Sequence, residues 1–269
     1  MIVQAIGLLL LSSIFIGIIS ILRKEYQERN SISLMPTVLF LFCVSIICAG
    51  VSVAAGRGLH ISGLSLSLAV WYAVISAVTT FICIYGTAFG NVSGILLFAS
   101  LGNLIIPSLY GFIMRPADNS LTAYKSVGFL LAAACMIINI FGGERKKNNA
   151  VYKLLCILVF FSQGSALIIL SLKNTYCTNI SNYEFIAQHM LITIIIMTVI
   201  LIVNLFKNKN NTINSVKRIL NKGCMVIILS YAVLFFFVRF VGNEMCWDDT
   251  ADCAGDNEIL YANYNNGGS

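Results

Sequence analysis

Apolar positions in this chain come in long unbroken runs. They show neither the alternation of a half-buried strand nor the narrow stripe of a surface helix. A bilayer-spanning helix takes about 20 such residues, and eight runs approach or reach that length: roughly 2–22, 35–56, 64–88, 92–114, 126–142, 154–172, 186–206 and 223–241. The fifth reaches spanning length only if it starts near Tyr124. The first has no basic residue ahead of it and exceeds a signal-peptide core, so it reads as a retained helix. The connections are short and polar: Arg23–Leu34, Arg57–Gly63, Gly90–Asn91, Arg115–Lys125, Gly143–Lys153, Lys173–Glu184 and Lys207–Lys222. None is long enough to fold as a soluble catalytic domain, so function has to come from the helices and their ends.

Composition agrees. Of 269 residues, 58% are apolar and 10% charged, against roughly 45–50% and 25% in soluble domains. A mean hydropathy of +0.88 leaves too little polar surface for a soluble globule. The expected fold is an all-α polytopic membrane protein of about eight transmembrane helices. Six of the nine cysteines (Cys43, Cys48, Cys83, Cys135, Cys156 and Cys224) lie within apolar runs and read as small core residues. No metal-ligand spacing, P-loop or nucleophile–base pattern occurs, so neither a cofactor nor catalysis is expected, and the chain is not read as an enzyme.

Charge is distributed unevenly. Six of the eleven acids belong to the last 28 residues, and no Asp or Glu falls inside an apolar run, which argues against exchange driven by a membrane-embedded carboxylate. The odd-numbered connections carry 12 of the 17 basic residues. By the positive-inside rule those connections face the cytoplasm and the N-terminus lies outside. The basic excess therefore marks topology, with no nucleic acid implied. Weak echoes suggest a repeat of about 150 residues: Gly17 with Leu22–Tyr26 matches Gly164 with Leu172–Tyr176, and Tyr72-Ala73-Val74 matches Tyr231-Ala232-Val233. The expected organisation is a first five-helix repeat (1–142), a basic connector (143–153), an incomplete second repeat of three helices (154–241) and an acidic tail (242–269). Cys246 and Cys253 in that tail could pair in an oxidising compartment.

The fourth run, Phe98–Gly111, is the most informative. Pro107 removes a backbone donor and crowds the carbonyl of Asn103, and freed backbone groups in a membrane need polar partners. Ser100, Asn103, Ser108 and Tyr110 lie at that depth. Two readings stand: a kinked helix lining a polar cavity, or a packing kink with an internally bonded Asn. Gln163-Gly164 and Gln188-His189 are the other polar intrusions; His189 is expected to be wet, near the interface. Gly86, Gly90 and Gly94, and likewise Gly50 and Ala54 with nearby Ala49 and Ala55, read as small residues that let helices approach.

These segments resemble the EamA-like branch of the drug/metabolite transporter superfamily. The resemblance rests on Arg23-Lys24-Glu25-Tyr26 at the end of the first run and Gly90-Asn91-Val92-Ser93 in the short third-to-fourth hairpin. It rests also on Leu101–Pro107 in the fourth run and on Ser120, Thr122 and Gly128 leading into the fifth. It covers about residues 1–142, and 151–241 more weakly. It implies ten helices in two inverted five-helix repeats with alternating access to a central cavity. Two departures stand out: Met114-Arg115-Pro116 lacks the Gly-Glu pair common after the fourth helix, and the apolar pattern stops at Gly242, two helices early. The family also places the N-terminus in the cytoplasm, against the charge count.

The expected function is alternating-access transport of small organic solutes across a plasma membrane, in a bacterial setting. Ser100, Asn103, Tyr110 and Gln163 would bind substrate, and Pro107 and Gly102 would act as a structural hinge. Helices one, three, four, six and eight would line the path. The partners are the lipid bilayer and a small-molecule substrate, and a homo-oligomer is compatible with the sequence. The alternative is a non-transporting membrane protein or an inactive truncated remnant.

Overall fold

In the computed structural model the described residues are 2–30, 34–56, 59–89, 92–114, 123–141, 150–207, 216–217, 221 and 223–238. They form eight helices: α1 Ile2–Arg29, α2 Leu34–Gly56, α3 Gly63–Phe89, α4 Val92–Met114, α5 Ala123–Phe141, α6 Ala150–Tyr176, α7 Asn182–Lys207 and α8 Gly223–Val238. Each predicted run falls on one of them. The acidic tail with Cys246 and Cys253, the connector's glycines and basic cluster, Gly90, Arg115, Ser120 and Thr122 lie outside the described residues. Five helices (α2, α3, α4, α6 and α7) are long and apolar enough to cross a membrane, and α5 and α8 contain shorter apolar stretches.

Several helices overrun their apolar runs, and the polar residues that carry them on have local partners. The last turns of α1 are bridged by Lys24–Glu28 at 3.6 Å and Glu25–Arg29 at 2.8 Å, the i, i+4 geometry that supports a solvated helix end. The start of α7 is a capping box: the Ser181 hydroxyl accepts from the Glu184 amide at 3.2 Å, and the Glu184 carboxylate accepts from the Ser181 amide at 2.8 Å. Ser62 and Ser65 close the first turn of α3 in the same reciprocal way. Successive helices run in alternate directions. One end of the bundle therefore gathers the α1–α2, α3–α4, α5–α6 and α7–α8 connections, and the other the α2–α3, α4–α5 and α6–α7 connections.

The closest pairings are α2 with α7, α4 with α6 and α3 with α6, followed by α3 with α7. The tightest crossing is between the parallel helices α4 and α6. A Cβ built on Gly102 would lie 2.2 Å from the Phe160 carbonyl oxygen, and one on Gly164 would lie 2.7 Å from the Gly102 carbonyl oxygen and 2.4 Å from Ile106 Cβ. Backbone meets backbone there, which only glycine permits. Gly86 likewise fits against Ile95, where a Cβ would stand 2.5 Å from the side chain. Of the small residues at the end of α2, Ala49 is buried in the core, whereas Gly50, Ala54 and Ala55 are exposed and nothing lies within 4 Å of a Cβ at Gly50. The exposed three occupy the outward side of α2, whose contact face instead carries Val38, Leu41, Val44 and Cys48.

Large apolar side chains also cover the outside. Ile113, Leu130, Leu131, Ile138, Ile195, Phe206 and Val226 are each more than 60% exposed. Helices that are apolar inside and out require a non-aqueous surround, which is compatible with a multi-pass membrane protein.

Candidate functional site

At the middle of the bundle lies a small cavity of about 40 Å³, lined by Arg23 from α1, Ser76, Thr79 and Thr80 from α3, Gln163 and Ala166 from α6, and Phe235 from α8. Ser76 and Gln163 are each the central residue of a 27-residue helix, so the cavity sits half-way between the two ends. Ser76, Thr79 and Thr80 share a face of α3 because residues three and four apart project together. Thr79 and Thr80 donate their hydroxyl hydrogens to the carbonyls of Ile75 and Ser76, at 2.8 and 2.9 Å. Their oxygens are left as acceptors.

Among the described residues Arg23 is the one cation lining the cavity. Its Nη2 donates to the Tyr231 hydroxyl, and the guanidinium stands 5.4 Å from the Tyr231 ring centroid, within cation–π range. Cys83 is its other neighbour. Nε is enclosed and has no hydrogen-bond partner. The ion pairs among the described residues are Lys24–Glu28, Arg29–Glu25 and His60–Glu184, and none involves Arg23.

An aromatic layer stands toward each end from this cavity. On one side Tyr26, Phe40 and Tyr231 pack at centroid distances of 4.6 and 4.7 Å, and Tyr26 donates to the Pro36 carbonyl at 2.8 Å. On the other, Tyr72 packs on His189 at 4.8 Å and on Phe185 at 5.7 Å. All of these side chains are buried.

Beyond the second layer lies a polar cluster at the α6–α7 turn. Lys173, 1% exposed, donates through Nζ to Asn182 Oδ1 at 2.7 Å. Glu184, 5% exposed, accepts from His60 Nδ1 at 2.5 Å, and Gln188 Nε2 donates to the His60 carbonyl at 2.6 Å. His189 is also 1% exposed, which corrects the expectation of a wet residue. It lies two turns into α7, roofed by Tyr72 and Phe185, and its Nδ1 donates to the Phe185 carbonyl at 3.0 Å while Nε2 has no partner. Asn174 and Gln188 Oε1 are likewise enclosed without partners. Among the described residues no group of three His, Cys, Asp or Glu could hold a metal ion.

The residues proposed from sequence are distributed as follows. Gln163 lines the central cavity. Asn103 is half-buried beside the Gly102–Gly164 crossing, with Oδ1 enclosed and unpartnered. Tyr110 is half-buried further along α4 and Ser100 is exposed. Pro107 interrupts the hydrogen bonding of α4 without ending it, and Ser108 donates to the Leu104 carbonyl at 2.7 Å. Among the described residues α4 contributes nothing to the cavity lining. Gly102 serves close packing. Sequence reasoning missed Arg23, counted there as a loop charge, and the hydroxyl face of α3. The signal available was the polar i, i+3, i+4 pattern at Ser76, Thr79 and Thr80 inside an otherwise apolar run.

An all-helical chain with several membrane-length apolar helices and a polar cavity at mid-height is as far as fold and geometry define a class. No family model matches the chain, and the comparison with curated proteins finds no match.

Proposed function

We propose that the protein is a multi-pass membrane transporter of small organic solutes, of the EamA-like kind, working by alternating access in a bacterial plasma membrane. The observation that carries this reading is the mid-height polar cavity, roofed by an aromatic layer toward each end. A site reachable from one side at a time needs such a closed intermediate, in which two gates exclude water from a central compartment. The helices meet at glycine crossings and aromatic layers with orphaned polar atoms between them, a construction suited to two groups of helices rocking against each other.

Two features support an inverted repeat relating α1–α3 to α6–α8. Tyr72 on α3 packs against α7 at one end, and Tyr231 on α8 packs against α2 at the other. Arg23 in the last turns of α1 and Lys173 in the last turn of α6 are both turned inward, Arg23 to the central cavity and Lys173 to Asn182. Reconstitution of the purified chain into proteoliposomes, followed by uptake of labelled solute panels, tests the reading. Saturable uptake above empty vesicles is expected. Absence of saturable flux for every anionic, neutral and cationic solute class would overturn it.

A further inference from the structure

We infer that the central cavity is the seat of a single carboxylate group, the anionic end of an organic solute, paired with Arg23. This rests on the transport reading and names its substrate class. A guanidinium at bilayer depth is expensive unless its charge is compensated, yet among the described residues its partners, the Tyr231 hydroxyl and Cys83, are side chains that are ordinarily neutral. No ion pair among the described residues reaches it. Its enclosed Nε without a partner is a donor awaiting an acceptor. The planar fork of an arginine matches a carboxylate in a way that a lysine does not.

The surrounding groups fit that ligand. Thr79 and Thr80 spend their hydrogens on backbone carbonyls, so among the described residues the donors facing an anion are Arg23, the side-chain amide of Gln163 and the Ser76 hydroxyl. All three line the same cavity. The volume of about 40 Å³ is a few times the roughly 10–15 Å³ that one enclosed water needs. It holds a carboxylate head and excludes a whole solute, whose body requires the helices to part. Arg23 thus acts as the fixed counter-charge, and the cavity as the point where the moving solute is held by its acid group.

The test uses the full-length protein in detergent and in proteoliposomes. Acetate, lactate, pyruvate and benzoate are each compared with the corresponding neutral amide. At least one acid is expected to raise the thermal unfolding midpoint and its amide not to. Arg23→Gln should weaken that acid's apparent affinity about tenfold or more, the scale of one hydrogen bond to a charged group, with Arg23→Lys falling between. Gln163→Glu sets a carboxylate of the protein's own beside Arg23, so this variant should fold and lose the response to added acid; it keeps the test decisive if Arg23→Gln does not fold. Equal stabilisation by acid and amide, no stabilisation by any acid, or an undiminished acid response in Gln163→Glu overturns the inference. Saturable flux of a neutral or cationic solute unchanged by Gln163→Glu would sink the carboxylate seat and leave transport standing. Acid binding abolished by Gln163→Glu, but with no flux of any solute, would do the reverse.

Discussion

The α4–α6 crossing makes the most exacting prediction about the fold. Replacing Gly102 by Ala puts a Cβ 2.2 Å from the Phe160 carbonyl oxygen, whereas Cβ atoms in proteins essentially never come within 3.0 Å of another heavy atom. The obstacle is backbone, so no side chain can rotate away, and the helices must separate by roughly 1 Å. A gap of that size forfeits a quarter to a half of the dispersion attraction along the contact. Here the contact holds Ile95 and Phe98 of α4 against Cys156 and Val159 of α6. Overpacking of this kind costs about 1–3 kcal/mol, and an immovable backbone partner places Gly102→Ala at the upper end. Opposing this, alanine gains up to about 1 kcal/mol over glycine in helix propensity. The clash wins, with a net loss of about 2 kcal/mol.

Gly50→Ala and Gly128→Ala isolate the propensity effect, because nothing lies within 4 Å of a Cβ at either site. They should be neutral or slightly stabilising. The assay is thermal unfolding in detergent read by a thiol-reactive dye. Cys83 and Cys156 are buried at the crossing and react on opening, whereas Cys135 is exposed from the start. Gly102→Ala and Gly164→Ala should lower the midpoint by several degrees relative to the two controls. If Gly102→Ala melts with Gly50→Ala, α4 and α6 do not meet backbone to backbone and the packing described is wrong.

Three further outcomes follow from the polar contacts. Asn182→Ala should destabilise by about 1.5–3 kcal/mol, the scale of a lost hydrogen bond to a charged group, and adding Lys173→Met should recover most of it, checked by a thermal double-mutant cycle. Ser181→Ala should cost about 1 kcal/mol through loss of the α7 cap, measured by the same melts. Glu184→Ala should cost more, because the carboxylate is accepting from both His60 and the Ser181 amide. Tyr231→Phe removes the hydroxyl partner of Arg23 while keeping the ring that packs on Phe40. It should leave the fold intact by circular dichroism and change solute uptake by several-fold.

Helix positions were legible because an apolar run that must span a bilayer has almost no freedom in length or register. The ends were not. The apolar pattern stops at Leu22, but α1 continues to Arg29 on its own ion pairs. It stops again at Leu172, but α6 continues to Tyr176, with Lys173 buried against Asn182. Assigning each charge to a loop fails where a tertiary partner turns it inward, and Arg23 was lost to the site for that reason. Glycines posed the same difficulty: Gly50 and Gly102 look alike in sequence, and only the neighbouring helix distinguishes an open position from a backbone crossing. Gln163 was legible because one amide inside an apolar run must find a polar neighbour. Which neighbours it finds depends on the pairing of α3 with α6, which no local pattern encodes.

The inward placement of the half-buried Arg23 and the buried Lys173 also bears on orientation. Both were counted as loop charges, one on each side, and neither is free to act as one. Removing the pair leaves Lys24, Arg29, Lys153 and Lys207 gathered at the end of the bundle that holds the α1–α2 connection. Among the described residues the opposite end holds one lysine position, Lys125 in the first turn of α5, together with His60 and a Glu184 that is tied up in hydrogen bonds. Basic residues flanking membrane helices are retained on the cytoplasmic side, so the Lys24 end should be cytoplasmic and the N-terminus outside, against the orientation implied by the family resemblance. Single-cysteine variants on a cysteine-free background decide between them. Lys24→Cys should resist a membrane-impermeant maleimide in intact cells and His60→Cys should react, since both positions are solvent-exposed. The reverse pattern would refute the assignment from the basic residues and agree with the orientation that the family resemblance implies.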